Sequence, residues 1–247
     1  MTAPLTPPTP RTNTPPAARA DWRLALGAPA LYVLLLTGLV QALALVGGLL
    51  ALRGSGAERD LYGSLALLLA QLGAGLVTLH WLRRRAARRS CGRATAGVGF
   101  VRSSRGWLLA GEAGGLLLAL AAAAMAWLLP RPAAPHLASL LMTLPALPLA
   151  STLISVLLAP LFEEGVFRGA LLGALAPALG PLGAGLASTA VFTLLHLPEQ
   201  AGYFWGLLPI AALGGFAAWL RLRSGSLWPG VVAHMCFNAL LGFAALR

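Results

Sequence analysis

"LLAPLFEEGVFRGALLGAL", Leu157 to Leu175, places two adjacent glutamates and an arginine inside an otherwise apolar run. Charged side chains at the centre of a bilayer cost from a few kcal/mol upward. Glu163, Glu164 and Arg168 therefore require a partner, a water-filled cavity or a reaction. The apolar run around them extends from about 149 to 176. That is longer than the roughly 20 residues a membrane-crossing helix needs.

The rest of the chain has the same character. Of 247 residues, 58% are hydrophobic and only 10% are charged, against about a quarter charged in soluble domains. Apolar segments at about 26–52, 61–82, 107–129, 149–176, 181–197, 203–222 and 227–246 predict seven spans. The expected fold is an all-α polytopic transmembrane helix bundle filling 23–247. The segment "PRPAAPHLASLLMTLPALP" between the third and fourth spans is too rich in proline for a straight helix. A short interfacial helix at about 137–144 is expected there. "APALGPLG", Ala176 to Gly183, reads as a tight turn between two spans. Residues 1–22, rich in Pro and Thr, could not build a core and read as a disordered tail. They hold no short apolar stretch ending in a cleavage site, so no signal peptide is expected.

The net charge of +11 comes entirely from arginine among the basic residues. No basic face with interleaved aromatics accompanies it, so nucleic acid is not an expected partner. The arginines instead report orientation. The loop "RRRAARRSCGRATAGVGFVRSSR" carries eight, from Arg83 to Arg105. Cytoplasmic loops are rich in such residues. This loop, the tail with Arg11, Arg19 and Arg23, and the "RLRSGS" loop with Arg221 and Arg223 then share the cytoplasmic side. The opposite side keeps Arg53, Arg59, Arg131 and Arg247. The Ala-, Gly-, Leu-, Pro- and Arg-rich composition suggests a bacterial cytoplasmic membrane. Cys91 and Cys236 lie far apart in the chain, so neither a disulfide nor a cysteine metal site is expected.

Once the loops are removed, few polar groups remain at depth. His80 and Glu112 lie near helix ends, where snorkelling or pairing at the interface accounts for them. Gln41 and Gln71 read as hydrogen-bonding links between helices. The glycine pairs in "GAGL", "GEAGG" and "LGGF" suit close helix packing. Glu163, Glu164, Arg168, His196, His234 and Asn238 form a pattern of their own. Glu164 and Arg168 are four apart and can pair on one helix face. Glu163 projects about 100° away and is left for another task. Phe192 and His196 share a face, and so do His234 and Asn238. At ~1.5 Å per residue, Glu163, His196 and His234 lie ~20, ~23 and ~14 Å from the arginine-rich side, with an uncertainty of about 6 Å. One site is compatible with these depths. The competing account is a buried polar network that ties three helices together.

"EEGVFR" (Glu163 to Arg168), "FTLLH" (Phe192 to His196) and "HMCFN" (His234 to Asn238) resemble the three motifs of the CPBP intramembrane proteases. This is the CAAX-processing and bacteriocin-processing group, also called ABI. The resemblance covers about 160–240, within a protease-like core at about 149–247. It implies an endopeptidase that hydrolyses a peptide bond of a membrane-associated protein or peptide. In that reading Glu163 is the general base and His196 holds the water. Glu164 and Arg168 orient the site, and His234 and Asn238 stabilise the oxyanion. Base, positioned water and oxyanion donors are what peptide hydrolysis requires. The resemblance implies no cofactor. A zinc site built from Glu163, His196 and His234 is the alternative, although no HExxH pattern is present. Another alternative is a non-catalytic membrane protein of the same fold, acting in bacteriocin immunity or assembly. A proton-relaying transporter would also use such a cluster, but no inverted repeat is visible.

Overall fold

The computed structural model describes residues 21–51, 56–89, 98–129, 154–197, 200 and 202–245. The expected interfacial helix at 137–144, Cys91 and residues 1–20 of the expected tail lie outside these. Among the described residues the fold is all-α. The helices are α1 (Trp22–Ala51), α2 (Gly56–Arg89), α3 (Arg105–Leu128), α4 (Ala159–Glu164), α5 (Leu172–Leu195), α6 (Leu207–Ser224) and α7 (Trp228–Ala245). Two π-helical segments, Ile154–Leu158 and Gly165–Leu171, flank α4, so the chain is helical without interruption from 154 into α5.

Four helical stretches are long and apolar enough to cross a membrane: Trp22–Leu43, Arg105–Leu128, Val156–Leu195 and Phe204–Ser224. The third is 40 residues long and contains two of the expected spans. It breaks at Gly180, whose φ of 69° and ψ of 170° are non-helical. Glycine adopts positive φ without a Cβ clash, and Pro181 follows where a new helix can start. The turn expected from "APALGPLG" is therefore a break between two antiparallel arms. α2 and α7 are helical where the second and seventh spans were expected. α2 runs past the expected end at 82 because the arginines that follow are good helix formers.

The expected tail ends two residues too late. Asp21 caps α1: its side chain accepts from Leu24 N at 3.2 Å, as an N-cap acid does. Its backbone N–H donates to Ala174 O at 3.1 Å, and its carboxylate pairs with Arg85 at 3.2 Å. Asp21 thus pins the start of α1 to the end of α2 and to α5.

Two apolar clusters organise the bundle. One joins α1, α2, α4, the second π segment and α5 around Tyr32, Phe162, Phe167, Leu171 and Phe192. The other joins α3, α6 and α7 around Leu213, Leu220, Ala233 and Phe237. The "GEAGG" stretch lets α3 approach α7 closely. A Cβ on Gly111 would meet the Pro229 carbonyl, and one on Gly115 would meet that of Ala233. Small residues at a four-residue spacing permit this kind of approach. Gln71 links α2 to α1 as expected, donating to the Tyr32 hydroxyl at 2.7 Å. Gln41 instead faces outward.

Candidate active site

The two glutamates stand at the last turn of α4, immediately before the second π segment. Gly165 and Gly169 punctuate that segment, and the wider turn frees carbonyl groups from regular α bonding. Phe167 O accepts from Leu172 N and from Ser188 Oγ at 2.8 Å, so α5 satisfies what the π turn exposes. Such turns occur often at functional sites.

Glu164 and Arg168 lie sealed within the bundle. Arg168 is fully buried, and Glu164 is 1% exposed. Arg168 Nη1 donates to Glu164 Oε1 at 3.0 Å, the i,i+4 pairing expected from the spacing. Nη2 donates to the Gly214 carbonyl of α6 at 2.9 Å. The guanidinium also lies 4.4 Å from the Phe192 ring centre, within cation–π range. A Cβ on Gly214 would come within 3.0 Å of Nη2. The glycine therefore clears the position that the arginine occupies.

His234 of α7 joins the two carboxylates. Its Nδ1 is 3.2 Å from Glu164 Oε1, and its Nε2 is 3.9 Å from Glu163 Oε2. The ring stands edge-on to Phe192, with centres 5.8 Å apart. His196 is the C-cap of α5. Its Nδ1 lies 2.8 Å from Phe192 O. A carbonyl can only accept, so Nδ1 carries the hydrogen and Nε2 has a lone pair to offer. Phe192 thus touches three of the site's polar residues: its ring packs on Arg168, His196 and His234.

Glu163, His196, His234 and Asn238 line one cavity of about 480 Å³. Glu164 and Arg168 are behind its wall. The six residues singled out in the sequence are therefore brought together from α4, the π segment, α5 and α7. His80 and Glu112 are exposed on α2 and α3, away from this group. Glu199 lies outside the described residues.

Several contributors were not among the site residues read from the sequence. Gly214 acts through its carbonyl, which every residue possesses. Gln71 and Tyr203 also line the cavity. Tyr203 donates to Leu129 O at 2.9 Å, joining the turn before α6 to the end of α3. The helical spacing of Phe192 and His196 did indicate a shared face.

The zinc alternative needs three donors that converge. Among the described residues no group of three His, Cys, Asp or Glu side chains is placed to hold a metal ion. His234 Nδ1 and His196 Nδ1 both face oxygen acceptors.

Residues 145–240 match the family model described as Type II CAAX prenyl endopeptidase Rce1-like. Neither a curated protein nor a solved structure matches the chain. The matched segment contains all six residues of the cluster. With its apolar helices this chain is an integral membrane protein, and its segment 145–240 matches a model of the CPBP family of proteases.

Proposed function

We propose that the chain is an intramembrane endopeptidase that hydrolyses a peptide bond of a membrane-associated protein or peptide without a metal. One observation carries this reading. Glu163, His196, His234 and Asn238 share a cavity, and the sealed Glu164–Arg168 pair contacts its lining residues His234 and Phe192.

The chemistry follows from which atoms can accept and which can donate. Glu163 and His196 Nε2 are both acceptors at the cavity. A water held between them directs its hydrogens to these two atoms and leaves an oxygen lone pair for attack. Attack on the peptide carbonyl forms a C–O bond as Glu163 takes a proton. The carbonyl electrons move to the oxygen, which becomes an oxyanion. When the C–N bond breaks, Glu163 returns the proton to the leaving nitrogen.

His234 and Asn238 serve the oxyanion. With Nδ1–H directed at Glu164, Nε2 carries a hydrogen only when the ring is cationic. The Asn238 amide supplies a second donor. Removing one such donor costs about 10²–10³ in rate.

The arginine distribution supports a cytoplasmic N-terminus in a bacterial membrane. The decisive experiment compares new peptide termini in membranes that express wild type or Glu163→Gln at equal levels. Fragments present only with wild type are expected. If both folded proteins give the same termini, the cluster is a structural network. The immunity or assembly reading then takes over.

A further inference from the structure

The two ends of the bundle differ in what closes them. Given the proteolytic reading, that difference bears on how substrate reaches Glu163. At one end Arg105 opens α3, Arg83 to Arg85 lie in the last turns of α2, and Arg221 and Arg223 close α6. At the other end Trp127 of α3 is 83% exposed, with Phe204 and Trp205 exposed at the start of α6. Arg105 and Trp127 are ~33 Å apart along α3, close to the ~30 Å of a bilayer's hydrocarbon layer. Tryptophan favours the headgroup interface. The two ends therefore face opposite membrane surfaces.

The arginine end is plugged. Residues 98–101 pass beneath the second π segment, and a Cβ on Gly169 would come within 2.8 Å of Val98 Cγ1 and Val98 O. The strand of chain is held there on its other side. Leu227 N donates to Gly99 O at 2.8 Å, and Ser226 Oγ donates to Val101 O at 2.6 Å. Gly99 has a φ of 100°, and a Cβ there would meet the Arg221 guanidinium within 2.6 Å. Val98 and Leu227 are buried. Gly165 and Gly169, the chain neighbours of Glu164 and Arg168, pack on Phe100 and Val98 of this plug.

The cavity lies on the other side of the Glu164–Arg168 pair. Its α3 wall, Ala122 to Ala126, is ~26–32 Å along the helix from Arg105. Its α7 wall runs from His234 to Gly242, and its α6 wall begins at Gly206. Gln200 and Tyr203, at the tryptophan end, line it as well. We propose that water and substrate reach Glu163 from the tryptophan end, opposite the arginine-rich end. The substrate is then a polypeptide segment presented at that membrane surface, which is the non-cytoplasmic one in the orientation set by arginine.

The test uses the full chain in sealed membrane vesicles with Cys91→Ser and Cys236→Ser as background. Ala126→Cys reports on the cavity rim and Gly106→Cys on the arginine end, where a Cβ meets only open space and the Ser104 hydroxyl at 4.0 Å. A membrane-impermeant maleimide is added to one face or the other. The expected result is labelling of the two cysteines from opposite faces. Label on Ala126→Cys should also reduce the wild-type fragments at least ten-fold, while label on Gly106→Cys leaves them unchanged. Labelling of both from one face overturns the proposal. So does an Ala126→Cys that labels from neither face, or a cleavage loss caused by Gly106→Cys label alone. The labelling pattern is read without activity. An absence of fragments from the unlabelled protein therefore overturns the protease reading separately, and the accessibility result still stands or falls by itself.

Discussion

Two ion pairs of nearly equal length occupy opposite kinds of place in this bundle. Glu164 and Arg168 are 3.0 Å apart and essentially without solvent contact. Asp21 and Arg85 are 3.2 Å apart at the end of the bundle, with side chains 17% and 26% exposed. Distance alone would rank them together. Their surroundings separate them. Arg168 also holds the Gly214 carbonyl and the Phe192 ring, and Glu164 also faces His234. The buried pair is therefore part of a network that reaches His234 of the candidate site. The marginal pair fastens the ends of helices.

The largest effect should come from breaking the buried pair at one partner. Arg168→Met removes the cation that pairs with Glu164 inside the bundle. Loss of one member of a buried pair typically costs about 3–5 kcal/mol. Thermal unfolding of the purified protein in detergent should show this loss, and cleavage should disappear with it. The double variant Glu164→Gln/Arg168→Met removes both charges and should recover much of the stability without recovering cleavage. A single variant as stable as wild type would show that the pair is not structural.

Glu163→Gln sharpens the comparison, because this glutamate adjoins the same network yet faces the cavity. Its loss should lower cleavage by about 10²–10⁴, the range for a general base. Unfolding should shift by less than about 1 kcal/mol, since no buried charge is stranded. An equally large loss of stability would make Glu163 a structural residue like its neighbour.

An intermediate effect is expected where α3 holds α7. A side chain at Gly115 would meet the Ala233 carbonyl, next to His234. Gly115→Leu should destabilise by about 1–3 kcal/mol through overpacking. It should lower cleavage further than that loss explains, because displacing His234 by about 1 Å can cost 10²-fold. Unchanged cleavage in the folded fraction would show that the position of α7 does not set the geometry of His234.

The same contrast explains what the sequence made legible. The Glu164–Arg168 pair could be read from its spacing, because both residues lie on one continuous helical run. The bundle class followed from apolar lengths, and the break at Gly180 followed from its glycine and proline signals. Convergence of α4, α5 and α7 on one cavity was only compatible with the depths, since helix ends slip by a turn. The π turns were invisible: they depend on Ser188 and neighbouring helices to satisfy displaced carbonyls. Gly214 was read for its small size, but its acceptor role depends on where α6 packs. Asp21 was assigned to the tail for a related reason. Its cap is local, whereas its partners Arg85 and Ala174 are distant in the chain.

Asp21 also provides the smallest and cleanest test. Asparagine caps a helix about as well as aspartate, so Asp21→Asn keeps the bond to Leu24 N and removes only the charge. The backbone bond from residue 21 to Ala174 O is untouched. What remains is the worth of a partly exposed ion pair, about 0.2–1 kcal/mol. Unfolding at low salt should reveal a loss of this size. Raising the salt to about 1 M shortens the screening length to about 3 Å and should bring wild type and variant together. A loss above about 2 kcal/mol that survives high salt would make this margin as tightly coupled as the core, and the distinction between the two pairs would fail.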